Sequence, residues 1–241
     1  MGAEARNLLH AAFRHEFPLR GTSDVDIGLA TSDWETHDDL ASAYTRTGSN
    51  GIRYRIEGFS VDVMPFGGVE DPAGITVPPL RGEELVVFGF RDVFDDSELH
   101  VLPSGHTIRI PTAAGYAVLK MRAFIDRSAY GEDKDAQDLA VAAFWYQQDP
   151  LVQDRLAADR PLILEELGFD GELAAAFLLG ADVASILGAD DRADLRRRWS
   201  AVDCAFLERY FGFGGRAPSR SDLERRRAVL EQISRGFDAV S

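Results

Sequence analysis

The sequence predicts an α+β fold, in which a small mixed β-sheet flanked by helices is followed by an all-helical C-terminal half. Before Thr112, short apolar segments of strand length alternate with turn signals. From Thr112 onward the apolar residues recur with a helical period, and residues 151–241 contain no strand pattern. We therefore predict two domains, residues 1–148 and residues 149–241.

The first predicted elements are a helix, a strand and a second helix. Residues 3–15 carry apolar side chains on one helical face, and residues 24–30 have the composition of a strand. Ser32 and Glu35 have the spacing of a capping box, in which each side chain accepts the other residue's backbone N–H. A helix is therefore expected to run from this point to about residue 46.

Two hairpins are predicted in the rest of the N-terminal half. Each consists of two apolar runs joined by a short turn, Glu57-Gly58 in the first and Ser104-Gly105 in the second. The predicted strands are residues 52–56, 59–64, 99–102 and 107–110, with another strand at 85–90 after a loop at 71–79.

The C-terminal half is predicted to consist of helices. Thr112 is a suitable N-cap for a helix that ends near residue 127, and a polar turn then leads to a helix over residues 134–147. Further helices are expected near residues 171–187, 190–211 and 221–236, the last of them capped by Ser221 with Glu224.

Composition and charge exclude several classes of protein. The formal net charge of −14 argues against a protein that wraps long nucleic acid by general electrostatic attraction. The single cysteine, Cys204, excludes a disulfide framework and a thiolate metal site, and its apolar neighbours predict a buried thiol. No apolar run reaches the roughly 20 residues of a membrane span, and no signal-peptide core is present, so we expect a cytoplasmic protein without a membrane partner.

Three aspartates in apolar strands form the strongest functional pattern. Asp24 and Asp26 are two residues apart in a strand and so project from the same face, and Asp62 lies between two valines of a neighbouring strand. Carboxylates crowded at one point repel each other unless cations neutralise them. Oxygen ligands of this kind suit Mg²⁺, with Mn²⁺ as an alternative, and Mg²⁺ also binds substrate phosphates. The pattern predicts metal-dependent phosphoryl or nucleotidyl transfer, with these three aspartates as metal ligands and catalytic residues.

Two further groups of residues are candidates for binding a nucleotide. The turn Gly21-Thr22-Ser23 could offer N–H and hydroxyl groups to phosphate, or could be an ordinary entry into the strand. Lys120 and Arg127 share a helical face, and Lys134 and Asp138 follow in the next helix. These residues could neutralise a triphosphate, or they could form solvated helix faces with surface ion pairs.

The aspartate pattern, Ser23-Asp24-x-Asp26 followed by Val61-Asp62-Val63, resembles the DNA polymerase β-like nucleotidyltransferase superfamily. Lys120, Arg127 and Lys134-Asp135-x-x-Asp138 are further similar to the helical motifs of AbiEii-like nucleotidyltransferase toxins of type IV toxin–antitoxin systems. The resemblance covers about residues 1–145 and implies a nucleotidyltransferase core.

The resemblance implies transfer of a nucleoside monophosphate from an NTP to an acceptor hydroxyl, with RNA, protein or a small molecule as acceptor and a cognate antitoxin as partner. Two alternatives stay open: an aminoglycoside-type antibiotic adenylyltransferase, and a non-catalytic nucleotide-binding module. In the superfamily a glycine motif opens the helix before the first two aspartates, so the helix after Gly2 is expected to begin near them. We also expect an apolar strand before Gly2, or a homodimer, to cover the edge of the sheet.

Overall fold

The computed structural model describes residues 2–79, 83–213 and 217–240, and its contacts divide the chain into two units. The first unit contains residues 1–12 and 16–111, and the second contains residues 13–15 and 112–241. Both helices and small sheets are present, which confirms the α+β class. The described elements of the second unit are all helical.

The first unit is built on a four-stranded mixed sheet, whose strands lie in the order β1 (Asp24–Thr31), β4 (Phe59–Gly67), β3 (Arg53–Ile56) and β2 (Thr45–Arg46). Strand β1 is parallel to β4, and the other pairs are antiparallel. Two small antiparallel pairs, β5–β6 and β7–β8, complete its strands. The elements of this unit are α1 (Ala3–Ala12), β1 (Asp24–Thr31), α2 (Trp34–Ala43), β2 (Thr45–Arg46), β3 (Arg53–Ile56), β4 (Phe59–Gly67), β5 (Ile75–Thr76), β6 (Leu85–Val86), α3 (Phe90–Asp96), β7 (Glu98–Val101) and β8 (Thr107–Ile110).

The two faces of the sheet differ in polarity. Tyr54, Val61 and Val63 are buried on one face, where Leu40 of α2 packs against them. Since side chains alternate along a strand, Asp62 between the two valines projects from the opposite face. Helix α2 therefore covers the apolar face, and the acidic side chains stay available on the other.

Local backbone signals explain the hairpin between β3 and β4 and the start of α2. Glu57 and Gly58 have positive φ angles of 48° and 87°, the geometry of the predicted two-residue turn. The predicted capping box at Ser32 is wrong, because Asp33 is the N-cap of α2 and its Oδ1 accepts the N–H of Thr36 at 3.0 Å. The negative charge of this aspartate is also stabilised by the positive end of the helix dipole.

The strand predicted for residues 85–90 is mostly absent. Only Leu85–Val86 is extended, and α3 begins at Phe90 after Gly89, whose φ of 71° is left-handed. A short apolar run cannot by itself distinguish a buried strand from the start of a buried helix. The predicted loop at 71–79 contains β5 but is otherwise irregular.

The second unit contains α4 (Ala113–Arg127), α5 (Lys134–Gln148), α6 (Pro150–Asp159), α7 (Pro161–Glu166), α8 (Gly171–Ile186), α9 (Ala189–Trp199), α10 (Cys204–Tyr210) and α11 (Arg220–Asp238). The predicted cap at Thr112 is confirmed, because its side chain accepts the N–H of Gly115. Helices α4 and α5 both pack on α8, so they belong to the helical unit, whereas the sequence placed a domain boundary after residue 148.

The predicted helix over residues 190–211 is two helices, because Asp203 caps a new helix by accepting the N–H of Phe206. The last helix is capped by Ser219 with Asp222, which corrects the predicted cap at Ser221. Cys204 is exposed at the start of α10, so the prediction of a buried thiol is wrong.

Helix α8 is the central helix of the second unit. It is apolar on all sides, and most of its residues are buried, as expected of a helix surrounded by others. Two glycines allow α8 and α11 to approach closely: a Cβ on Gly180 would overlap the carbonyl of Ile233, and a Cβ on Gly236 would overlap that of Phe177. Within the described residues, no helix has the length and apolar character needed to cross a membrane.

Candidate functional site

The three predicted aspartates lie on one face of the sheet in the first unit. Parallel pairing places Asp26 directly beside Asp62, and Asp24 is two residues earlier on β1. In-register neighbours on adjacent strands project from the same side and are separated by about 4.8 Å between strands. The sheet therefore brings together the residues that the sequence assigned to one site.

Arg53 bridges two of these aspartates. It pairs with Asp62 across the β3–β4 hairpin, and its Nε and Nη2 each donate to an Asp62 carboxylate oxygen at 2.7 Å. The same Nη2 donates to Oδ2 of Asp24 at 3.2 Å. Hydrogen bonding to Asp62 raises the pKa of the Arg53 guanidinium, with smaller contributions from the charges of Asp24 and Asp26. Sequence reasoning missed this residue, although it lies at the centre of the site.

The three aspartates are the kind of residue that binds a divalent cation, and they lie on one face of the sheet. They supply carboxylate oxygens from one face, and the Asp24 side chain is 35% exposed, so a cation could reach it from solvent. Among the residues that the structure describes, no group of three or more His, Cys, Asp or Glu side chains is arranged to hold a metal ion. The Arg53 guanidinium takes the place between Asp24 and Asp62 that the sequence assigned to a cation.

The start of α1 lies against the aspartates. A Cβ on Gly2 would overlap the carboxylate of Asp26, so only glycine allows this approach. The carbonyl of Gly2 accepts the N–H of Arg6 at 3.3 Å, which makes Gly2 the N-cap residue of α1. The expected position of this helix start is confirmed. The N–H groups and dipole of a helix start suit anionic groups such as the Asp26 carboxylate.

The turn before β1 is exposed, and the structure gives one of its three predicted residues a contact at the site. The Thr22 hydroxyl donates to Oδ1 of Asp24 at 2.9 Å and so fixes the orientation of that carboxylate. Gly21 and Ser23 are both exposed, and a side chain at Gly21 would meet no atom within 4 Å.

A cavity of about 650 Å³ begins at Asp26 and lies within the first unit. Its lining includes Leu8 of α1, Phe66 of β4, Phe94 of α3 and Arg109 of β8. The guanidinium of Arg109 covers the ring of Phe94 at 4.7 Å from the ring centre. Cavities that bind small molecules have volumes of roughly 300–1,000 Å³ and are mostly apolar with a few polar groups. The cavity therefore has the size and lining for an organic ligand beside the aspartates.

The helical candidates form a separate charged cluster in the second unit. The ammonium of Lys120 lies 3.2 Å from Oδ1 of Asp135 and 2.8 Å from Oδ2 of Asp138, and both aspartates are buried. Arg127 extends the cluster, with Nη1 3.3 Å from Oδ2 of Asp135. Lys120, Arg127 and Asp138 therefore lie together around Asp135, to which the sequence assigned no role, and their binding of a triphosphate stays a prediction.

Lys134 is not part of that cluster. Its ammonium lies 2.7 Å from a carboxylate oxygen of Glu132, and both side chains are more than two-fifths exposed. This is the surface ion pair that the sequence allowed as an alternative, although its partner is Glu132 instead of Asp138. Such pairs contribute little to stability.

Comparison with known proteins adds no assignment. No family model, curated protein or solved structure matches the chain significantly.

Proposed function

We propose that the protein is a metal-dependent nucleotidyltransferase that moves a nucleoside monophosphate from an NTP to an acceptor hydroxyl. The observation that carries this proposal is the strand register, which pairs Asp26 with Asp62 and keeps Asp24 on the same face. The resemblance of this arrangement to the DNA polymerase β-like superfamily supports the same reaction class. Bound Mg²⁺ or Mn²⁺ would stabilise the negative charge on the transferred phosphoryl group and the departing pyrophosphate.

The chain's own residues have separate roles in this reaction. Asp24, Asp26 and Asp62 would hold the cations, and the start of α1 beside Asp26 would contribute N–H groups to the phosphates. Asp62 orients the acceptor and takes the proton from its hydroxyl as the oxygen attacks the α-phosphorus. The bond from the α-phosphorus to the bridging oxygen breaks, and that oxygen leaves with the pyrophosphate.

The cavity beside Asp26 supports a substrate with an organic body next to the reacting phosphate. Its aromatic residues, Phe66, Phe90 and Phe94, could contact a nucleobase or an apolar part of the acceptor. We propose RNA, a protein side chain or a small molecule as acceptor classes. A cognate antitoxin is a proposed partner if the toxin resemblance is correct.

The aminoglycoside-type adenylyltransferase is the second candidate. The net charge of −14 favours a cationic acceptor over an anionic one, since opposite charges attract at long range. The third candidate, a non-catalytic nucleotide-binding module, would retain the aspartates for binding without transfer.

Incubation with each α-³²P-labelled NTP and Mg²⁺ or Mn²⁺ tests these candidates. Total RNA, a protein mixture and an aminoglycoside set serve as acceptors in parallel. Label on any acceptor, lost in the Asp62→Asn variant, is the expected result, and its position identifies the acceptor class. Binding of the NTP with no label on any acceptor would favour the non-catalytic module instead.

A further inference from the structure

Arg53 occupies the oxygens that a cation would need. Its guanidinium forms two parallel hydrogen bonds with Asp62 and a third hydrogen bond with Asp24. A planar fork of this kind matches a carboxylate closely and gives stronger hydrogen bonds than neutral groups do. Without metal, the site therefore contains its own positive charge.

The contact is accessible to exchange. The Arg53 side chain is 37% exposed, so the ion pair lies at the solvent-accessible surface of the sheet. The Asp62 side chain is 13% exposed and would lose its counter-charge if the arginine left alone. Departure of Arg53 is therefore favourable only when another cation takes its place.

We propose that Arg53 is an internal counter-ion, which competes with divalent cations for Asp24 and Asp62 and binds a nucleotide phosphate once it is displaced. This inference rests on the proposed function. The guanidinium fork that binds a carboxylate also binds phosphate oxygens, so displacement does not leave the arginine without a partner. Arg53 is a positioning residue that links metal binding to nucleotide binding.

The exchange predicts coupling between the two ligands. Metal alone must displace Arg53 into water, whereas a metal–nucleotide complex provides both a cation for the aspartates and an anion for the arginine. Each ligand should therefore strengthen binding of the other by the same factor. Loss of the arginine should strengthen binding of the metal alone and weaken the coupling.

Manganese binding, measured by electron paramagnetic resonance of free Mn²⁺, tests this without requiring activity. The compared proteins are the wild type, Arg53→Gln and Arg55→Gln. Arg55 is the matched control, because it is exposed on the same strand and face, opposite Ser60, and its loss removes the same charge. Each protein is titrated with Mn²⁺ alone and with Mn²⁺ plus a non-hydrolysable NTP analogue.

Removal of the competing guanidinium should make Arg53→Gln bind Mn²⁺ alone about tenfold more tightly than the wild type, and Arg55→Gln should change this affinity less than about twofold. With Mn²⁺ saturating, Arg53→Gln should bind the analogue more weakly than either of the other proteins. Equal Mn²⁺ affinities in the two variants would overturn the role of Arg53, while binding by the wild type would leave the proposed function in place.

Two further outcomes complete the test. If neither the wild type nor Arg53→Gln binds Mn²⁺, the role of Arg53 and the proposed function both fail. If Arg53→Gln does not fold, the Mn²⁺ titration of Arg53→Lys replaces it. Lysine keeps the charge but cannot form the two parallel hydrogen bonds. Arg53→Lys should bind Mn²⁺ more tightly than the wild type, by less than the tenfold expected of Arg53→Gln. An affinity equal to that of the wild type would overturn the proposal.

Discussion

Lys120 shows how strongly one residue can depend on its partners. The chain has two lysines, Lys120 and Lys134, among 26 basic residues, so the choice of lysine at a buried position is unusual for this sequence. Lys120 contacts two buried carboxylates, Asp135 and Asp138, whereas Lys134 pairs with Glu132 at the surface. The two lysines therefore provide a matched comparison between a buried and an exposed ion pair.

Replacing Lys120 by methionine should destabilise the protein by about 3 kcal/mol, because two buried carboxylates lose their nearest cation. Lys134→Met should change the free energy of unfolding by less than about 0.5 kcal/mol. Urea denaturation of the wild type and both variants at neutral pH measures the difference. Equal effects of the two substitutions would show that the buried cluster contributes no more than a surface pair.

The position of Arg53 could have been deduced from the sequence. A two-residue turn at Glu57-Gly58 fixes the register of the hairpin, and counting back from it places Arg53 opposite Asp62. The aspartates were predictable for a different reason, since a carboxylate in an apolar strand is rare. The hydrogen bond from Arg53 to Asp24 depends on the parallel pairing of β1 with β4, which no local signal specifies.

At the scale of elements, the close contact of α8 with α11 depends on glycine. Gly180→Ala should destabilise the second unit by about 3 kcal/mol, because the added Cβ would overlap the backbone of Ile233 and force the helices apart. Gly171→Ala on the same helix is the control, since its Cβ would only touch a flexible glutamine side chain. Thermal unfolding monitored by circular dichroism measures both. A Gly180→Ala protein as stable as the control would mean that the two helices are less tightly packed than described.

Helix α2 introduces a pH dependence through His37. His37 is buried, with Nε2 3.4 Å from the Tyr54 hydroxyl and Nδ1 3.7 Å from a carboxylate oxygen of Asp38. Burial is the largest effect and lowers the pKa of His37 below 6.5, while Asp38 raises it and Arg46 lowers it further. The folded protein therefore favours the neutral imidazole.

Since the unfolded chain binds this proton more readily, the stability that His37 confers is complete above pH 6.5 and declines as the pH falls toward the folded pKa. Urea denaturation of the wild type should give a lower free energy of unfolding at pH 5.5 than at pH 7.5. His37→Gln should show a smaller loss, and His106→Gln, which alters an exposed hairpin turn, should behave as the wild type does. A loss of equal size in His37→Gln would assign the pH dependence to other groups.

Element boundaries were predicted where a cap or turn residue fixes the backbone. Thr112 caps α4 as expected, and the turns at Glu57-Gly58 and Ser104-Gly105 lie between the predicted strands. The start of α3 was missed because Phe90 continues the apolar run that predicted a strand over residues 85–90, and the break before α10 was missed because the apolar period continues across it. These errors lie where tertiary packing decides between two local conformations.

For the whole molecule, negative charge restricts the range of partners. The arginine-rich segment of α11 is engaged inside the second unit: Arg225 pairs with Asp170 and Glu172, and Arg227 pairs with Glu208. Arg226 donates to the backbone carbonyls of Glu208 and Arg209. This segment is therefore a poor candidate for a basic groove that follows a nucleic-acid backbone.

We expect no saturable binding of a random-sequence DNA duplex at physiological salt, since binding without sequence preference depends on cationic contacts to phosphates. Fluorescence polarisation with a labelled duplex measures this, and a labelled tRNA pool serves as the comparison for a structured RNA acceptor. Duplex binding in the micromolar range would contradict the charge argument and indicate a basic surface in the folded protein.

Pyrophosphate release is the measurement that tests the central claim most directly, because nucleotidyl transfer produces it whichever acceptor is used. The reaction contains NTP, Mg²⁺ and the acceptor that carries label, with the wild type compared with Asp26→Asn and Asp33→Asn. Asp33 is the control, because it caps α2 and asparagine is an equally good cap. The proposed site predicts release by the wild type and Asp33→Asn, and a loss of at least about a hundredfold in Asp26→Asn. Equal release by Asp26→Asn and the wild type would contradict the assignment of catalysis to the aspartate face.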